Sequence, residues 1–332
     1  MKKIEELEYS SILDIYQTQR AIKFVKDTFQ TSLAKKLDLL RVSAPIFVKK
    51  KSGLNDGLSG VERPVNFLFQ DEEVEIVHSL AKWKRMALGK YDIYLHKGLY
   101  TDMNAIRKDE HLDFYHSLYV DQWDWEMVIE EKDRTFSFLK KIVRKIYRSV
   151  YDLAKAVEKK YPSLKHDLVK DITFISTKEL EKRYPNLSRK EREDAICREY
   201  KAVFLYQIGW PLKDHLPHDS RAADYDDWKL NGDILVYYPL YDMAFEISSM
   251  GIRVNKESLI KQLEYKNEAY KLENDYCKSI LNDEIPLSIG GGIGQSRLSM
   301  FMLNKAHIGE VQVSVWDEEE IEELKKHNIK LL

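Results

Sequence analysis

The 332-residue sequence has little cysteine, no excess charge of either sign and no long hydrophobic run. Its two cysteines cannot build the disulfide framework of a small secreted domain. The 53 basic and 55 acidic residues give a net charge of −2, which argues against nucleic-acid binding because phosphate recognition needs a basic excess. No apolar run approaches the roughly 20 residues that span a bilayer. We therefore expect a cytoplasmic globular protein that binds neither nucleic acid nor membrane.

The cysteines and histidines also offer little support for thiol or zinc chemistry. Cys197 and Cys277 lie in charged, helix-like surroundings without a glycine-rich elbow, and residue 2 is Lys2 rather than an N-terminal cysteine. A thiol site that hydrolyses glutamine is therefore not expected. The histidines form no HxxxH pair on a predicted helix, so zinc is not expected either.

Hydrophobic periodicity predicts two long amphipathic helices, at residues 11–37 and 134–161. Shorter helices are predicted at 81–89 and 294–304, and β-rich runs predict strands at 41–50, 74–80, 116–126, 172–176, 203–208, 232–238 and 244–250. The later strands follow one another with few intervening helices. This order favours an α+β fold in which helices flank a mostly antiparallel sheet.

Glycine is concentrated at one place, where four of the 13 glycines occupy positions 290, 291, 292 and 294. The run matches neither the P-loop nor the GxGxxG pattern. We expect it to begin the helix at 294–304 and to let backbone lie close to a ligand.

Carboxylates occupy several strand positions where apolar side chains are expected. Examples are Asp124, Asp233 at the start of a strand, and Glu246 between two apolar residues. Taken singly, each is more simply a solvent-facing residue of a half-exposed sheet. Together with three aspartates of the segment RAADYDDW (221–228), they form an acidic group that would repel itself without Mg²⁺ or a cationic substrate. Oxygen ligands favour Mg²⁺ over zinc.

Basic residues beside glycine, acidic or aromatic residues balance this group. They are Lys82, Lys84, Arg107, Arg221, Arg253 and Arg297. Because arginine binds phosphate and carboxylate bidentately, such a sheet suits a nucleoside triphosphate. In a chain that is 33% charged, an ordinary pattern of surface ion pairs is the alternative interpretation.

Four segments resemble the signature motifs of class II aminoacyl-tRNA synthetases. TQRAIKFVKDTFQTSLAKKLDLLRVSAPIF resembles motif 1, a helix and strand ending in an interface proline, AIRKDE resembles motif 2, and GGGIGQSRLSM resembles motif 3. EISSMGIR resembles the acid-to-arginine segment of the aspartate and asparagine synthetases. This resemblance implies a class II synthetase-like core and, through motif 1, a homodimer.

The match narrows to the ammonia-dependent asparagine synthetases, or aspartate–ammonia ligases. NDGLSG, VHSLAKWKR, YVDQWDWE, RAADYDDW, NGDILV, FEISSMGIR and GGGIGQSRL resemble that family in this order, across residues 14–317. The departures are a short stretch between Trp228 and Asn231 and a leader-like segment at 1–10. The resemblance implies a single catalytic domain over 1–332, without an anticodon-binding domain.

This family uses ATP and Mg²⁺ to activate the side-chain carboxylate of L-aspartate. A β-aspartyl adenylate and pyrophosphate form, and free ammonia then displaces AMP to give L-asparagine. The absence of a glutamine-hydrolysing cysteine agrees with this reaction. For the present chain, the resemblance implies ATP, L-aspartate and ammonia as substrates and Mg²⁺ as a cofactor.

The resemblance also implies roles for individual residues. Arg107 would hold the α-phosphate, Gln122 the reacting carboxyl or adenylate, and Asp56 would bind ammonium and take its proton as general base. From the residues alone, Asp56-Gly57 is more simply a tight turn. The implied aspartate-binding residues are Ser79, Lys84, Asp124, Asp226 and Arg253. The implied ATP- or AMP-binding residues are Arg107, Glu110, Asp233, Glu246, Ser249 and Arg297, with Asp233 and Glu246 also binding Mg²⁺ and Asp109 competing with Glu110 for adenine.

Two alternatives stay open from the sequence. An aspartyl- or asparaginyl-tRNA synthetase would fit the motifs, but motif 1 begins within the first 20 residues and the charge gives no tRNA footprint. A non-catalytic synthetase paralogue that senses a small molecule would be expected to have lost Arg107, Glu246 or Arg297, and all three are present.

Overall fold

The computed structural model describes residues 4–58 and 62–332. The first three residues of the predicted leader, and Ser59 and Gly60 of the NDGLSG segment, lie outside the described residues. None of the described helices is long and apolar enough to cross a membrane. The described part of the leader folds back, because Ile4 and Leu7 pack against the hydrophobic core and the Tyr9 hydroxyl donates to Glu310.

The described residues form nine α-helices. They are α1 (Ile15–Leu37), α2 (Ala81–Lys90), α3 (Phe136–Lys160), α4 (Thr177–Arg183), α5 (Arg189–Tyr200), α6 (Lys256–Tyr265), α7 (Asp275–Leu281), α8 (Gln295–Met302) and α9 (Glu318–Lys326). The strands are β1 (Leu39–Arg41), β2 (Phe47–Lys49), β3 (Asn66–Phe69), β4 (Glu72–Ile76), β5 (Gly98–Ile106), β6 (Tyr119–Val128), β7 (Thr173–Ser176), β8 (Ala202–Tyr206), β9 (Asp226–Tyr238), β10 (Met243–Arg253) and β11 (Ser288–Gly294).

Eight strands form one mixed sheet in the order β1-β5-β6-β11-β10-β9-β8-β7, and β2-β4-β3 form a small separate sheet. The pairs β1–β5 and β7–β8 at the two edges are parallel, and the other neighbours are antiparallel. The mostly antiparallel α+β architecture predicted from the sequence is therefore confirmed, with parallel pairs added at the edges.

Helices α1 and α3 cover one face of the large sheet. Asp14 begins α1 through a capping box with Gln17, and the Thr135 side chain caps α3. Their apolar stripes pack with the inward residues of β6, where the Phe29 and Trp123 rings lie 4.8 Å apart between centroids. Because side chains alternate along a strand, the neighbours of Trp123 and Trp125 on β6 point to the opposite face.

The glycine run leads directly into the predicted helix, since Gly294 is the N-cap residue of α8, but the run itself was not predicted to be a strand. Residues Ser288–Gly294 form β11, a central strand between β6 and β10, and α8 begins only at Gln295. Pairing on both sides supplies the backbone hydrogen bonds that hold this glycine-rich segment extended, in spite of its low strand propensity. The run predicted as one strand at 41–50 contains only β2 and the last residue of β1, with Pro45 between them.

Candidate active site

A cavity of about 360 Å³ opens on the face of the sheet opposite α1 and α3. It brings together twelve of the thirteen predicted site residues, which are Asp56, Ser79, Lys84, Arg107, Glu110, Gln122, Asp124, Asp226, Glu246, Ser249, Arg253 and Arg297. The remaining one, Asp233, lies behind the wall, where it is joined to the lining residue Arg221. Residues spread over two hundred positions of sequence thus face one space.

The glycines of β11 make room for the polar side chains of β6. Gly292 pairs with Asp124, and a Cβ atom at Gly292 would lie 2.8 Å from Asp124 Oδ1 and would collide with the Gln122 amide. A Cβ at Gly290 would likewise collide with the Glu126 carboxylate. Close approach to neighbouring side chains therefore explains why glycine occupies this strand.

The deepest charges are centred on Arg253, whose guanidinium binds Glu126 bidentately at 2.8 and 2.7 Å and also contacts Asp226. All three side chains are buried. Burial tends to lower the pKa of Arg253, but Glu126 and Asp226 raise it well above its usual value. Ser288 donates a further hydrogen bond to Glu126 at 2.7 Å, so the cation is held in a fixed position on the cavity wall.

A second buried pair lies beside it. The Lys84 ammonium is 3.1 Å from Asp124 Oδ2 and donates to the Gly291 carbonyl oxygen at 3.0 Å. Burial lowers the pKa of Lys84, and Asp124 opposes this effect. Asp124 Oδ1 is buried without a hydrogen-bond partner among the described residues. A buried carboxylate oxygen without a donor is costly, which makes this atom a natural acceptor for a ligand.

Asp56 lies on a loop at another wall of the cavity and is buried. Its carboxylate accepts hydrogen bonds from the Ser79 hydroxyl at 2.7 Å and from the Leu58 backbone amide at 2.9 Å. The bond from the Leu58 amide closes the turn that the Asp-Gly dipeptide predicts. The turn and a place in the candidate site are therefore both present, and the two interpretations do not exclude each other.

Arg107 extends into the cavity with weak protein contacts. Its guanidinium is 3.4 Å from the His78 carbonyl oxygen and 3.8 Å from the Glu110 carboxylate. Asp109 turns away from the cavity and is held by Arg63, at 3.0 Å from Nε and 2.7 Å from Nη2. Of the two acids that competed for a nucleotide contact, Glu110 is the one that faces the cavity.

The acidic group predicted to need Mg²⁺ or a cationic substrate is neutralised within the chain, which corrects the sequence-based expectation. Each aspartate has its own basic partner: Asp224 has Lys82, Asp226 has Arg253, Asp227 has Arg134, and Asp233 has Arg221. The partners come from distant parts of the sequence, so the charge balance could not be read from the acidic segment alone. The acids by themselves therefore do not require a metal.

Asp233 and Glu246 nevertheless fit a hard cation. Burial raises the pKa of Asp233 and Glu246 raises it further, whereas Arg221 lowers it. Asp233 Oδ1 is buried without a hydrogen-bond partner among the described residues, and Ser249 lies directly opposite Asp233 in the sheet. Glu246 is half-buried and lies 3.8 Å from Arg297, which also rests 5.1 Å above the Tyr115 ring. Oxygen donors with unmet bonding capacity suit Mg²⁺.

Sequence reasoning missed several residues of the site and its support. Tyr115 lines the cavity, and Asp121, on the other side of β6, links Lys26 of α1 to the Ser296 amide of α8. Arg221, indicated by the sequence only as a balancing basic residue, lines the cavity as well. Asp121 carried a usable signal, since it is an acid on the apolar face of a strand. Both cysteines are buried, and burial raises the pKa of Cys277 to about 12 and also raises the pKa of Cys197.

The fold is similar to that of tRNA synthetases of known structure. The asparaginyl-tRNA synthetase of Pyrococcus horikoshii, complexed with asparaginyl-adenylate, superposes with a TM-score of 0.62 at 16% identity, covering 89% of this chain and 68% of that one. The asparaginyl-tRNA synthetase of Entamoeba histolytica, also with asparaginyl-adenylate, gives 0.61 at 12% identity, covering 90% and 66%. The chain thus spans about two thirds of the length of these synthetases, and the class II synthetase-like fold is confirmed.

Similarity to aspartate–ammonia ligases is much higher and extends over the whole length. The sequence profile of the aspartate–ammonia ligase family matches residues 16–328. The aspartate–ammonia ligase of Bacillus cytotoxicus is 56% identical over 325 residues, which cover 97% of this chain and 99% of the relative. That of Clostridium perfringens strain SM101 is 53% identical over 328 residues, covering 98% of each chain. These findings confirm the resemblance inferred from the motifs: the chain belongs to the aspartate–ammonia ligase family.

Proposed function

We propose that this chain makes L-asparagine from L-aspartate, ammonia and ATP through a β-aspartyl adenylate. ATP-dependent asparagine synthesis is the activity of the family to which it belongs. The observation that carries the proposal is one cavity holding two kinds of charge. Buried, fixed charges at Lys84, Asp124 and Arg253 suit a small dicarboxylic amino acid, and the loosely held Arg107 and Arg297 suit a nucleotide.

Aspartate would bind at the buried charges. The partnerless Asp124 Oδ1 would accept from the substrate ammonium, and Lys84 and Arg253 would bind its carboxylates. Arg253 uses three of its five N–H groups on Glu126 and Asp226, which leaves N–H donors for a ligand. Asp226 would act through Arg253, and Ser79 would contribute at the same wall through its position beside Asp56.

Adenylate formation requires one bond to form and one to break at the α-phosphorus. A β-carboxylate oxygen of aspartate attacks, and the bond to the pyrophosphate leaving group breaks. Negative charge builds up on the phosphate oxygens, so Arg107 would stabilise the transition state electrostatically. Gln122 would orient the reacting carboxyl, Glu110 would contact adenine, and Arg297 would hold the nucleotide by stacking or by charge.

Amination would then take place at the wall that carries Asp56. Near neutral pH the dissolved nitrogen source is mostly ammonium, whereas the attacking species must be neutral. The Asp56 carboxylate would bind ammonium and accept one proton, after which nitrogen attacks the carbonyl carbon. The bond to the AMP oxygen breaks, AMP leaves with its electron pair, and a second proton is lost from nitrogen to give the amide.

Asp233, Glu246 and Ser249 would hold Mg²⁺ together with ATP oxygens. The cation would neutralise charge on the triphosphate when it is bound. The residues themselves place two carboxylates near Arg221 and Arg297, so the charges of the nucleotide and its metal would be balanced by this part of the chain.

The remaining parts of the proposal concern organisation. We treat residues 1–332 as one catalytic domain, because the cavity draws its walls from segments between Asp56 and Gln312. A homodimer is supported by the motif 1 resemblance, and a cytoplasmic location by the composition.

The decisive experiment traces the oxygen atoms of the aspartate β-carboxylate with an isotope label. Aspartate labelled with ¹⁸O in its β-carboxylate is incubated with ATP, Mg²⁺ and either ammonium or glutamine, and the phosphorus products are analysed by mass spectrometry. We expect asparagine, pyrophosphate and one ¹⁸O in AMP, with ammonium only. Formation of ADP, with ¹⁸O in inorganic phosphate, would mean that the intermediate is an acyl phosphate and not an adenylate. Aspartate-dependent ATP–pyrophosphate exchange without asparagine would instead favour a tRNA synthetase.

A further inference from the structure

The loop that carries Asp56 is fixed by the segment that leads into α2. The Asn55 side chain accepts from the His78 amide at 2.9 Å, the Asp56 carbonyl oxygen accepts from His78 Nδ1 at 3.0 Å, and Ser79 binds the Asp56 carboxylate. At the start of the loop, the Lys82 ammonium donates to the Gly53 carbonyl oxygen at 3.2 Å. Gly53 has a φ of 67°, and a Cβ there would lie 2.8 Å from Asn274, so this end of the loop has little freedom.

Lys82 is an unusual residue for its position. It is the second residue of α2, where the helix dipole disfavours a cation, and its side chain is almost fully buried. Its ammonium is held by Asp224, at 2.5 Å, a residue that precedes β9 and is equally buried. A buried ion pair is often no more stabilising than an apolar pair of similar size. Stability alone therefore does not account for Lys82 and Asp224.

The charge of Lys82 is also directed at Asp56. Burial lowers the pKa of Lys82, but the negative charges of Asp224 and then Asp56 outweigh this effect and raise its pKa above the usual value. The lysine therefore remains an ammonium group in the neutral pH range. Lys82 makes its hydrogen bonds to Asp224 and to the Gly53 carbonyl, whereas the Asp56 carboxylate is hydrogen-bonded by Ser79 and Leu58.

We infer that Lys82, held in place by Asp224, is a positioning residue for Asp56 in the amination step. It fixes the start of the Asp56 loop through the Gly53 carbonyl and places a permanent positive charge beside the carboxylate. The Asp56 carboxylate is then held at the cavity wall, where it can bind ammonium and accept its proton. The inference rests on the proposed role of Asp56 and assigns Lys82 and Asp224 to amination rather than to adenylate formation.

The two half-reactions separate this role from a purely structural one. Aspartate-dependent exchange of pyrophosphate into ATP reports adenylate formation alone. Asparagine formed from ammonium reports the whole reaction. Hydroxylamine is a much weaker base than ammonia, so it is unprotonated at neutral pH and attacks the adenylate without a base, giving the hydroxamate.

The variants are Lys82→Met, Asp224→Asn and the double variant, with Asp56→Asn for comparison. In Lys82→Met we expect ammonium-dependent asparagine formation to fall about 10- to 100-fold, the size of a lost charge-assisted contact, with a raised KM for ammonium. Exchange and hydroxamate formation should stay within about threefold of wild type, and Asp56→Asn should show the same selectivity. The matched control is Lys305→Met, which removes another buried lysine, one paired with Glu310 away from the cavity; it should not affect the three reactions selectively.

If Lys82→Met fails to fold, the double variant decides, because removing both charges leaves no unpaired charge buried. An equal fall in all three reactions in a folded variant, or unchanged amination, would overturn the role of Lys82. Selective loss in Asp56→Asn with none in Lys82→Met would overturn the inference and leave the proposed function intact. No selective loss in Asp56→Asn would overturn the proposed base and the inference with it.

Discussion

Arg107 makes only weak contacts within the protein, since its guanidinium lies far from the His78 carbonyl oxygen and the Glu110 carboxylate. Replacing Arg107 by alanine should therefore leave the fold intact while lowering the rate of adenylate formation about 10²- to 10³-fold, as for loss of one oxyanion donor. Aspartate-dependent ATP–pyrophosphate exchange measures this step. Arg63→Ala is the matched control, because Arg63 binds Asp109 outside the cavity. If Arg107→Ala exchanged pyrophosphate at the wild-type rate, the proposed contact of Arg107 with the α-phosphate would be wrong.

Gly292 offers a test of the cavity floor. A methyl group there would press against the Gln122 amide and Asp124 Oδ1. In Gly292→Ala we expect the KM for aspartate to rise about tenfold or more, since displacement of either group costs at least one charge-assisted hydrogen bond. Steady-state kinetics with aspartate as the varied substrate measure the effect. Gly89→Ala serves as control, because a Cβ atom there would lie 3.3 Å from its nearest neighbour, Pro286 Cδ. An unchanged KM in Gly292→Ala would mean that Gln122 and Asp124 do not position aspartate.

At the scale of one residue, sequence identified the charged side chains but not their partners. The positions of Asp224, Asp226 and Asp227 were evident from one short segment. Their neutralisation by Lys82, Arg253 and Arg134 depends on contacts across 142, 27 and 93 positions, which no local pattern encodes. The partner of Asp233, Arg221, is likewise seen only in the structure.

At the scale of an element, α3 supplies stability without touching the chemistry. Its stripe, including Leu153, is buried against the core on the face opposite the cavity. Leu153→Ala should lower the free energy of unfolding by about 2–5 kcal/mol through lost burial and a residual cavity. Urea unfolding measures the change, and the exposed Lys159→Ala on the same helix is the control. A large change in the KM for aspartate in Leu153→Ala would contradict this separation of fold from site.

Elements whose apolar residues recur with a clear helical or strand period were predictable from the sequence, and elements without such a period were not. Helices α1 and α3 follow regular apolar stripes, and β6 follows a clean alternation of side chains between its two faces. By contrast, β11 consists largely of glycine and carries no strand signal, so its position at the centre of the sheet depends on its partners β6 and β10. The strand β5 (Gly98–Ile106) was not predicted at all, although it pairs with β6 over nine residues.

At the scale of the whole molecule, the sheet explains why distant motifs meet. The segment with motif 2 character begins at the end of β5, and the segment with motif 3 character begins on β11. Both strands flank β6. Sequence fixes neither that order nor the two parallel edge pairs, because strand neighbours depend on long-range packing. The family resemblance supplied the class II architecture that local patterns alone left as a general α+β fold.

The edge strand β1 and its surroundings lead to a last prediction, on assembly. The motif 1 segment exposes large apolar side chains, with Leu40 60% and Phe47 49% exposed, and Tyr16, two residues before the segment, is 71% exposed. A second copy covering them would remove this unfavourable surface from water. Light scattering should therefore give about twice the monomer mass of 39.2 kDa. Leu40→Glu should shift the protein towards monomer, whereas Tyr270→Glu, an equally abrupt change at an exposed aromatic outside motif 1, should not. A monomeric wild-type protein, or a dimer that tolerates Leu40→Glu as well as it tolerates Tyr270→Glu, would place the contact elsewhere than on motif 1.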